Sequence, residues 1–271
     1  MNHHRRILSA VIILPPVILF LLFASHELFT LLACIVTFVS LQEYYGLLMM
    51  KQASVRTWLS HALALALVGA AYLRGPALMA PVLTFGMILL TALVMWQAEG
   101  DTPPFLALMC HLFGILLIGW GLSHLVVLHG LEQGSMRTLL LCAVLWSGDI
   151  AAMYVGRYFG RRPMVPTISP GKTWEGALGG ILGCLVVATL GVWLLSLSIT
   201  MYQSLVFGLL ISCTAQIGDL AESLFKRYIG VKDSGTLIPG HGGVLDRVDS
   251  FLFAAPAAAY FFISLDVLTL R

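Results

Sequence analysis

The chain has 271 residues, 59% of them hydrophobic and only 10% charged, with a formal net charge of +2 and a mean hydropathy of +0.94. A soluble domain carries roughly 25% charged residues to clothe its surface, so this chain takes lipid as its main solvent. The small net charge, with no basic run interleaved with aromatics, excludes a nucleic-acid surface. Five cysteines, odd in number and without a CxxC pair, support neither a zinc site nor a disulfide framework and read as small apolar packing residues.

The N-terminus, Met1 to Arg6 followed by an apolar run, has the outline of a signal peptide. Pro15-Pro16 interrupt that run and no convincing small-residue cleavage site follows, so it reads as a retained first helix. Crossing roughly 30 Å of hydrocarbon takes about 20 apolar residues. Nine runs qualify: 7–23, 28–49, 58–73 (the shortest), 77–96, 105–128, 138–159, 177–195, 204–225 and 244–270. They are continuous rather than alternating, which predicts helices and not a closed barrel. The expected fold is an all-α polytopic membrane protein of about nine transmembrane helices with cytoplasmic catalytic loops.

With the N-terminus in the cytoplasm, the inside segments hold Arg5, Arg6, Lys51, Arg56, Arg161, Arg162, Lys172, Lys226, Arg227 and Lys232, and the outside ones only Arg74, Arg137 and Arg271. Ten against three, with Arg157 and Arg247 set aside at helix ends, favours N-in and C-out.

The halves differ. Residues 1–135 form a plain N-terminal transmembrane region in which Glu43, beside Tyr44 and Tyr45, is the only acid well inside a span. Its role is left open. Residues 136–271 form a C-terminal region whose apolar helices contain Asp149, Asp219, Glu222, Asp246 and Asp249. Intramembrane acids cost a few kcal/mol each on insertion scales, so they need partners or a wet cavity. The site is expected here.

The richest stretch, Ser223 to Asp249, reads SLFKRYIGVKDSGTLIPGHGGVLDRVD. Gly235, Gly240, Gly242 and Gly243 with Pro239 make a loop that bends sharply and can bring backbone N–H groups to a ligand. Lys226, Arg227, Lys232, His241 and Arg247 are donors of the kind phosphate recognition needs. Asp246 and Asp249 share one helix face, and Asp219 and Glu222 have the same spacing on the preceding helix. A solvated loop of positive-inside lysines explains Lys226 and Arg227 but not acids buried beyond it. Left unpaired at low dielectric, Asp219, Asp246 and Asp249 would repel by several kcal/mol. A divalent cation bridging carboxylates and phosphates relieves this, and Mg²⁺ prefers a few carboxylates plus phosphates and waters. Asp219 and Asp246 are the expected metal ligands, with Asp249 and Asp149 beyond them as a second metal shell or substrate contacts.

The pattern S-x-x-K-R-x4-K-D-x5-P-x-H-G-G-x-x-D-R-x-D, from Ser223, Lys226, Arg227, Lys232 and Asp233 through Pro239, His241, Gly242, Gly243, Asp246, Arg247 and Asp249, resembles the signature of phosphatidate cytidylyltransferases (CDP-diacylglycerol synthases) of bacterial type. A second stretch is similar to the family's other shared region: Trp146-Ser147-Gly148-Asp149, Gly156-Arg157, and Ser169-Pro170-Gly171-Lys172-Thr173-Trp174-Glu175-Gly176. Gly171 stands where the family often has lysine, and Ile150 where it has a small or hydroxylated residue. The resemblance implies CTP plus phosphatidate giving CDP-diacylglycerol and pyrophosphate, in a multi-pass protein of the inner (plasma) membrane that works as a homodimer. It implies Asp246, Asp219, Lys226 and Arg227 as catalytic residues. It also implies Lys172, Lys232, Ser223, His241, Arg247, Asp149 and Glu175 at the substrates, with Mg²⁺, or Mg²⁺ and a second cation, on Asp219, Asp246 and Asp249.

Gly171-Lys172-Thr173 invites a Walker A reading, but Pro166 stands where that motif needs glycine and no βαβ unit is expected. Gly176, Gly179, Gly180 and Gly183 give overlapping GxxxG pairs and predict close helix packing. His61, His111 and His124 lie in different spans without ligand spacing and read as buried, hydrogen-bonded side chains. A transporter would show inverted repeats with matching broken helices, whereas the polar residues here crowd one half. A CDP-alcohol phosphotransferase needs an Asp-Gly pair, absent here. A CTP-dependent lipid kinase, or a cytidylyltransferase for another lipid phosphate, stays open.

Overall fold

A computed structural model describes residues 15–48, 54–96, 103–231, 234–235 and 242–269. Where they are described, the apolar runs are helical: α1 (described over residues 15–23), α2 (His26–Leu47), α3 (Val55–Arg74), α4 (Pro76–Trp96), α5 (Pro104–Gly114) and α6 (Gly121–His129), then α7 (Gly134–Phe159), α8 (Trp174–Leu194), α9 (Met201–Ile229) and α10 (Leu245–Thr269). A π-helical turn, Ile115–Trp120, joins α5 to α6. Among the described residues seven helices are long and apolar enough to cross a membrane, α5 and α6 counting as one. The chain is therefore an all-α polytopic membrane protein. α3 falls outside the seven; Arg56, Thr57, Ser60 and His61 dilute its first turns.

Helix starts follow their capping residues. Ser25, Ser54 and Thr173 each accept an N–H three residues on, and Thr200 with Gln203 forms a capping box. α9 stops at Gly230, whose φ of 84° suits glycine.

α10 runs through the core. Its Ala254, Ala255, Ala258, Ala259 and Phe262 are wholly buried, packed between α9 and α6. The Arg137 guanidinium donates to both oxygens of Asp266 at 2.7 and 2.8 Å, tying α7 to α10, and lies 4.7 Å above the Phe262 ring. The expected glycine packing is present between α7 and α8. A Cβ on Gly179 would stand 2.6 Å from Val155, and one on Gly183 2.7 Å from Ala151. The three histidines are buried and bonded as expected: His61 to the Thr57 carbonyl at 2.8 Å, His111 to the Ser60 hydroxyl at 3.0 Å, His124 to the Trp120 carbonyl at 2.7 Å.

One element was not foreseen. Between α7 and α8 lies an antiparallel hairpin, β1 (Pro163–Val165) and β2 (Ser169–Thr173). Lys172 is therefore on a short strand that leads into α8, and no βαβ unit surrounds it.

Candidate active site

The hairpin and the ends of α7, α8, α9 and α10 enclose a cavity of about 550 Å³. Helical spacing places its lining. On α9, Ser212, Ala215, Gln216 and Asp219 recur at three and four residues; on α7, Leu145, Gly148, Asp149, Ala152, Gly156 and Arg157 do the same. β2 contributes Gly171 to Thr173, and α10 contributes Asp246, Asp249 and Ser250. Glycine and alanine on the α7 and α8 walls leave the space, since larger side chains there would fill it.

Four of the carboxylates singled out from the sequence, Asp149, Asp219, Asp246 and Asp249, thus face one chamber with Lys172. The Lys172 ammonium lies 2.5 Å from Asp219. Asp149, Asp219 and Asp249 reach this chamber from three different helices, α7, α9 and α10. Asp249 also accepts the Ser250 N–H at 2.6 Å.

Asp246 is held by several donors at once. It accepts the Ser234 N–H at 2.9 and 3.1 Å, the Gly243 N–H at 2.8 Å and the Lys226 ammonium at 2.8 Å. Gly242, at φ 84°, passes so close that a Cβ would stand 2.6 Å from this carboxylate. Lys226 reaches Glu222 as well, at 2.6 Å, so one ammonium joins a fully buried acid on α9 to the first turn of α10.

Other expected residues sit outside the cavity lining. The Arg227 Nε donates to the Ile168 carbonyl at 3.2 Å, fastening the hairpin to the end of α9. Glu175 accepts the N–H groups of Arg161 and Arg162 at 3.0 and 3.2 Å, holding the entry to the hairpin. Ser223 is half-buried on α9, and Arg247 is exposed on the first turn of α10. Lys232 and His241 lie outside the described residues.

Sequence reasoning passed over Gln216, and it grouped Glu222 with Asp219 on one helix face, whereas Glu222 pairs with Lys226 outside the cavity lining. Gln216 lines the cavity one turn before Asp219 and donates to the Ala177 carbonyl at 3.3 Å and the Ser212 hydroxyl at 3.1 Å. Its place on the Asp219 face was the available signal.

A hard cation suits this donor set. The cavity presents four carboxylates against two cationic side chains, Lys172 and Arg157. Among the described residues no three His, Cys, Asp or Glu side chains converge as a ready metal cage. A cation here would rest on one or two of these carboxylates and would need water and phosphate oxygens to complete its shell, as Mg²⁺ does elsewhere.

The chain is similar to phosphatidate cytidylyltransferases from Synechocystis sp. (47% identical over 132 residues, 49% of this chain and 45% of the relative) and Bacillus subtilis (43% over 151 residues, 55% and 56%). It is also similar to the uncharacterized protein YnbB of Escherichia coli (42% over 168 residues, 60% and 56%). It spans about half the length of the curated relatives it matches. The cytidylyltransferase family matches residues 4–265, nearly the whole chain, and the chain belongs to that family.

Proposed function

We propose that this protein is a phosphatidate cytidylyltransferase, joining CTP and phosphatidate into CDP-diacylglycerol with release of pyrophosphate. The observation that carries the reading is the acid-lined cavity, roofed by the hairpin and set among apolar helices. Such a chamber suits a polyphosphate arriving from water and a lipid whose chains stay in hydrocarbon. Relatives of that name among bacteria support it.

In the reaction, a phosphate oxygen of the lipid attacks the α-phosphorus of CTP, and the bond to the bridging oxygen of pyrophosphate breaks. Two anions must meet, so most of the catalysis is alignment and charge neutralisation. Lys172, on the hairpin, is placed to leave Asp219 for a phosphate oxygen. Lys226 fixes Asp246, and Arg227 with Glu175 holds the hairpin over the chamber. Asp219 and Asp246, with Asp249 and Asp149 behind them, would hold Mg²⁺, which supplies charge neutralisation at the transferring phosphoryl group. No activated nucleophile pair appears among the cavity residues, and the transfer is direct.

Further parts of the proposal are nine spans, with α1 and α3 added to the seven, a cytoplasmic N-terminus, residence in the inner membrane, and a homodimer as the working unit. The lysine and arginine asymmetry supports the orientation, and the bacterial relatives support the membrane. Residues 1–135 serve as scaffold and 136–271 as the catalytic region.

The test is pyrophosphate release by the purified chain. Release that requires CTP and phosphatidate together, one pyrophosphate per lipid product, is the expected result. Release of orthophosphate-level products alone, or no dependence on the lipid, overturns the assignment.

A further inference from the structure

We infer that Arg157 is the residue that receives the phosphate head of the lipid substrate as it enters the cavity from the membrane. The inference rests on reading the cavity as the site of cytidylyl transfer and goes beyond it by naming where the lipid comes in.

The position of Arg157 on α7 is the first ground. With Asp149 as zero and about 100° per residue, the cavity-lining Gly148, Ala152, Met153 and Gly156 fall between about −100° and +40°. Ile150, Tyr154 and Tyr158, exposed large side chains on a membrane-spanning helix, fall between about 100° and 180°. Arg157 lies at about 80°, on the border between the chamber and the lipid-facing stripe. Met153, which both lines the cavity and is 56% exposed, marks the same border one turn deeper.

Depth is the second ground. Tyr154 and Tyr158 stack with centroids 6.4 Å apart beside Arg157, and exposed tyrosines concentrate where hydrocarbon meets headgroups. A guanidinium at that level meets lipid phosphates rather than acyl chains.

Pairing is the third. Of the two cationic side chains on the cavity wall, Lys172 is held by Asp219, while Arg157 is exposed and has no carboxylate partner among the described residues. A planar fork with no carboxylate partner among the described residues, at the lip of a chamber otherwise rich in acid, is suited to a phosphate monoester, which it can hold through two parallel N–H donors. It also offsets the repulsion a dianionic lipid would meet from Asp149 and Asp249.

Kinetics of Arg157→Gln and Arg157→Lys, with dioctanoyl phosphatidate and CTP varied separately, test this. The expected result is a KM for phosphatidate raised about tenfold or more in Arg157→Gln, with the KM for CTP unchanged and part of the loss recovered in Arg157→Lys. A rise in the CTP KM instead, or no change in either, overturns the inference. Equilibrium binding of a fluorescent phosphatidate to the wild type and to Arg157→Gln in nanodiscs separates this from the functional reading. If the wild type makes no CDP-lipid, the functional reading fails, and the binding pair alone decides. Weaker lipid binding by Arg157→Gln supports the inference, and equal binding ends it.

Discussion

The carboxylate of Glu43, on α2, accepts the N–H of Leu245, 202 residues away at the start of α10, at 2.8 Å. Its other oxygen takes the N–H of Val244 at 2.9 Å, and the Ser234 hydroxyl adds a contact at 3.3 Å. Glu43 thus satisfies N–H groups that begin α10 and complements the positive end of its dipole. Ser234 is held from two sides, its hydroxyl by Glu43 and its N–H by Asp246. A Cβ on Gly235 would stand 2.8 Å from the Glu43 carboxylate. The plain N-terminal region therefore reaches the described residues of the loop that leads into α10.

Glu43→Ala should leave those N–H groups unsatisfied, at about 1–3 kcal/mol, and loosen the loop that positions Asp246. Thermal unfolding in detergent and turnover check it together. The expected outcome is a lower midpoint and a large loss of kcat, both partly restored in Glu43→Gln, which keeps one acceptor oxygen. Wild-type values for both would show that the contact carries neither stability nor position.

Lys226 joins two acids, and Glu222 is almost wholly buried. Removing one partner of a buried pair costs about 3–5 kcal/mol because the other charge is stranded. Lys226→Met is expected to unfold well below the wild type, and adding Glu222→Gln to recover much of the loss. Strict additivity of the two changes in thermal unfolding would count against the coupling.

The α7–α8 seam gives a test away from the cavity. Gly179→Val forces branched carbon against Val155, where even a Cβ would be 2.6 Å away. Overpacking of this kind costs about 1–3 kcal/mol. A fall in unfolding midpoint is expected, with recovery in the Gly179→Val, Val155→Ala pair. A stable single variant would show that the helices can move apart freely.

Orientation is checked at the hairpin. A Cβ on Gly171 meets nothing within 4 Å, so Gly171→Cys in a cysteine-free background should be reactive and well tolerated. Protection from an impermeant thiol reagent in intact cells, and labelling after permeabilisation, is the expected pattern. Labelling in intact cells would place the hairpin outside.

Much of this architecture is legible in the residues because burial in lipid demands long apolar runs, and close helix contact demands glycine at i and i+4. That Asp246 and Asp249 share a face was legible from their spacing of three, but the same spacing put Glu222 beside Asp219, and Glu222 turns to Lys226 instead of the cavity. The approach of Asp149 and Asp219 from two other helices is tertiary, and no spacing shows it. What the sequence hid depends on backbone atoms and on distance along the chain. Glu175 and Arg227 bond main-chain groups of neighbouring loops, for which a side-chain motif gives no signal. The partners of Glu43 are some two hundred positions away. The hairpin escaped notice because three- and five-residue strands, one containing Pro163 and the other Pro170, show no alternation to read.

Transfer of label from CTP into lipid tests the proposed chemistry most directly. The purified chain in detergent, with Mg²⁺ and phosphatidate, is given CTP labelled at the α- or at the γ-phosphorus. The α-label is expected in the lipid fraction and the γ-label in pyrophosphate, with both transfers lost in EDTA and in Asp246→Asn. Label from γ-CTP in the lipid would make the protein a kinase, and undiminished transfer in EDTA would contradict the metal assignment.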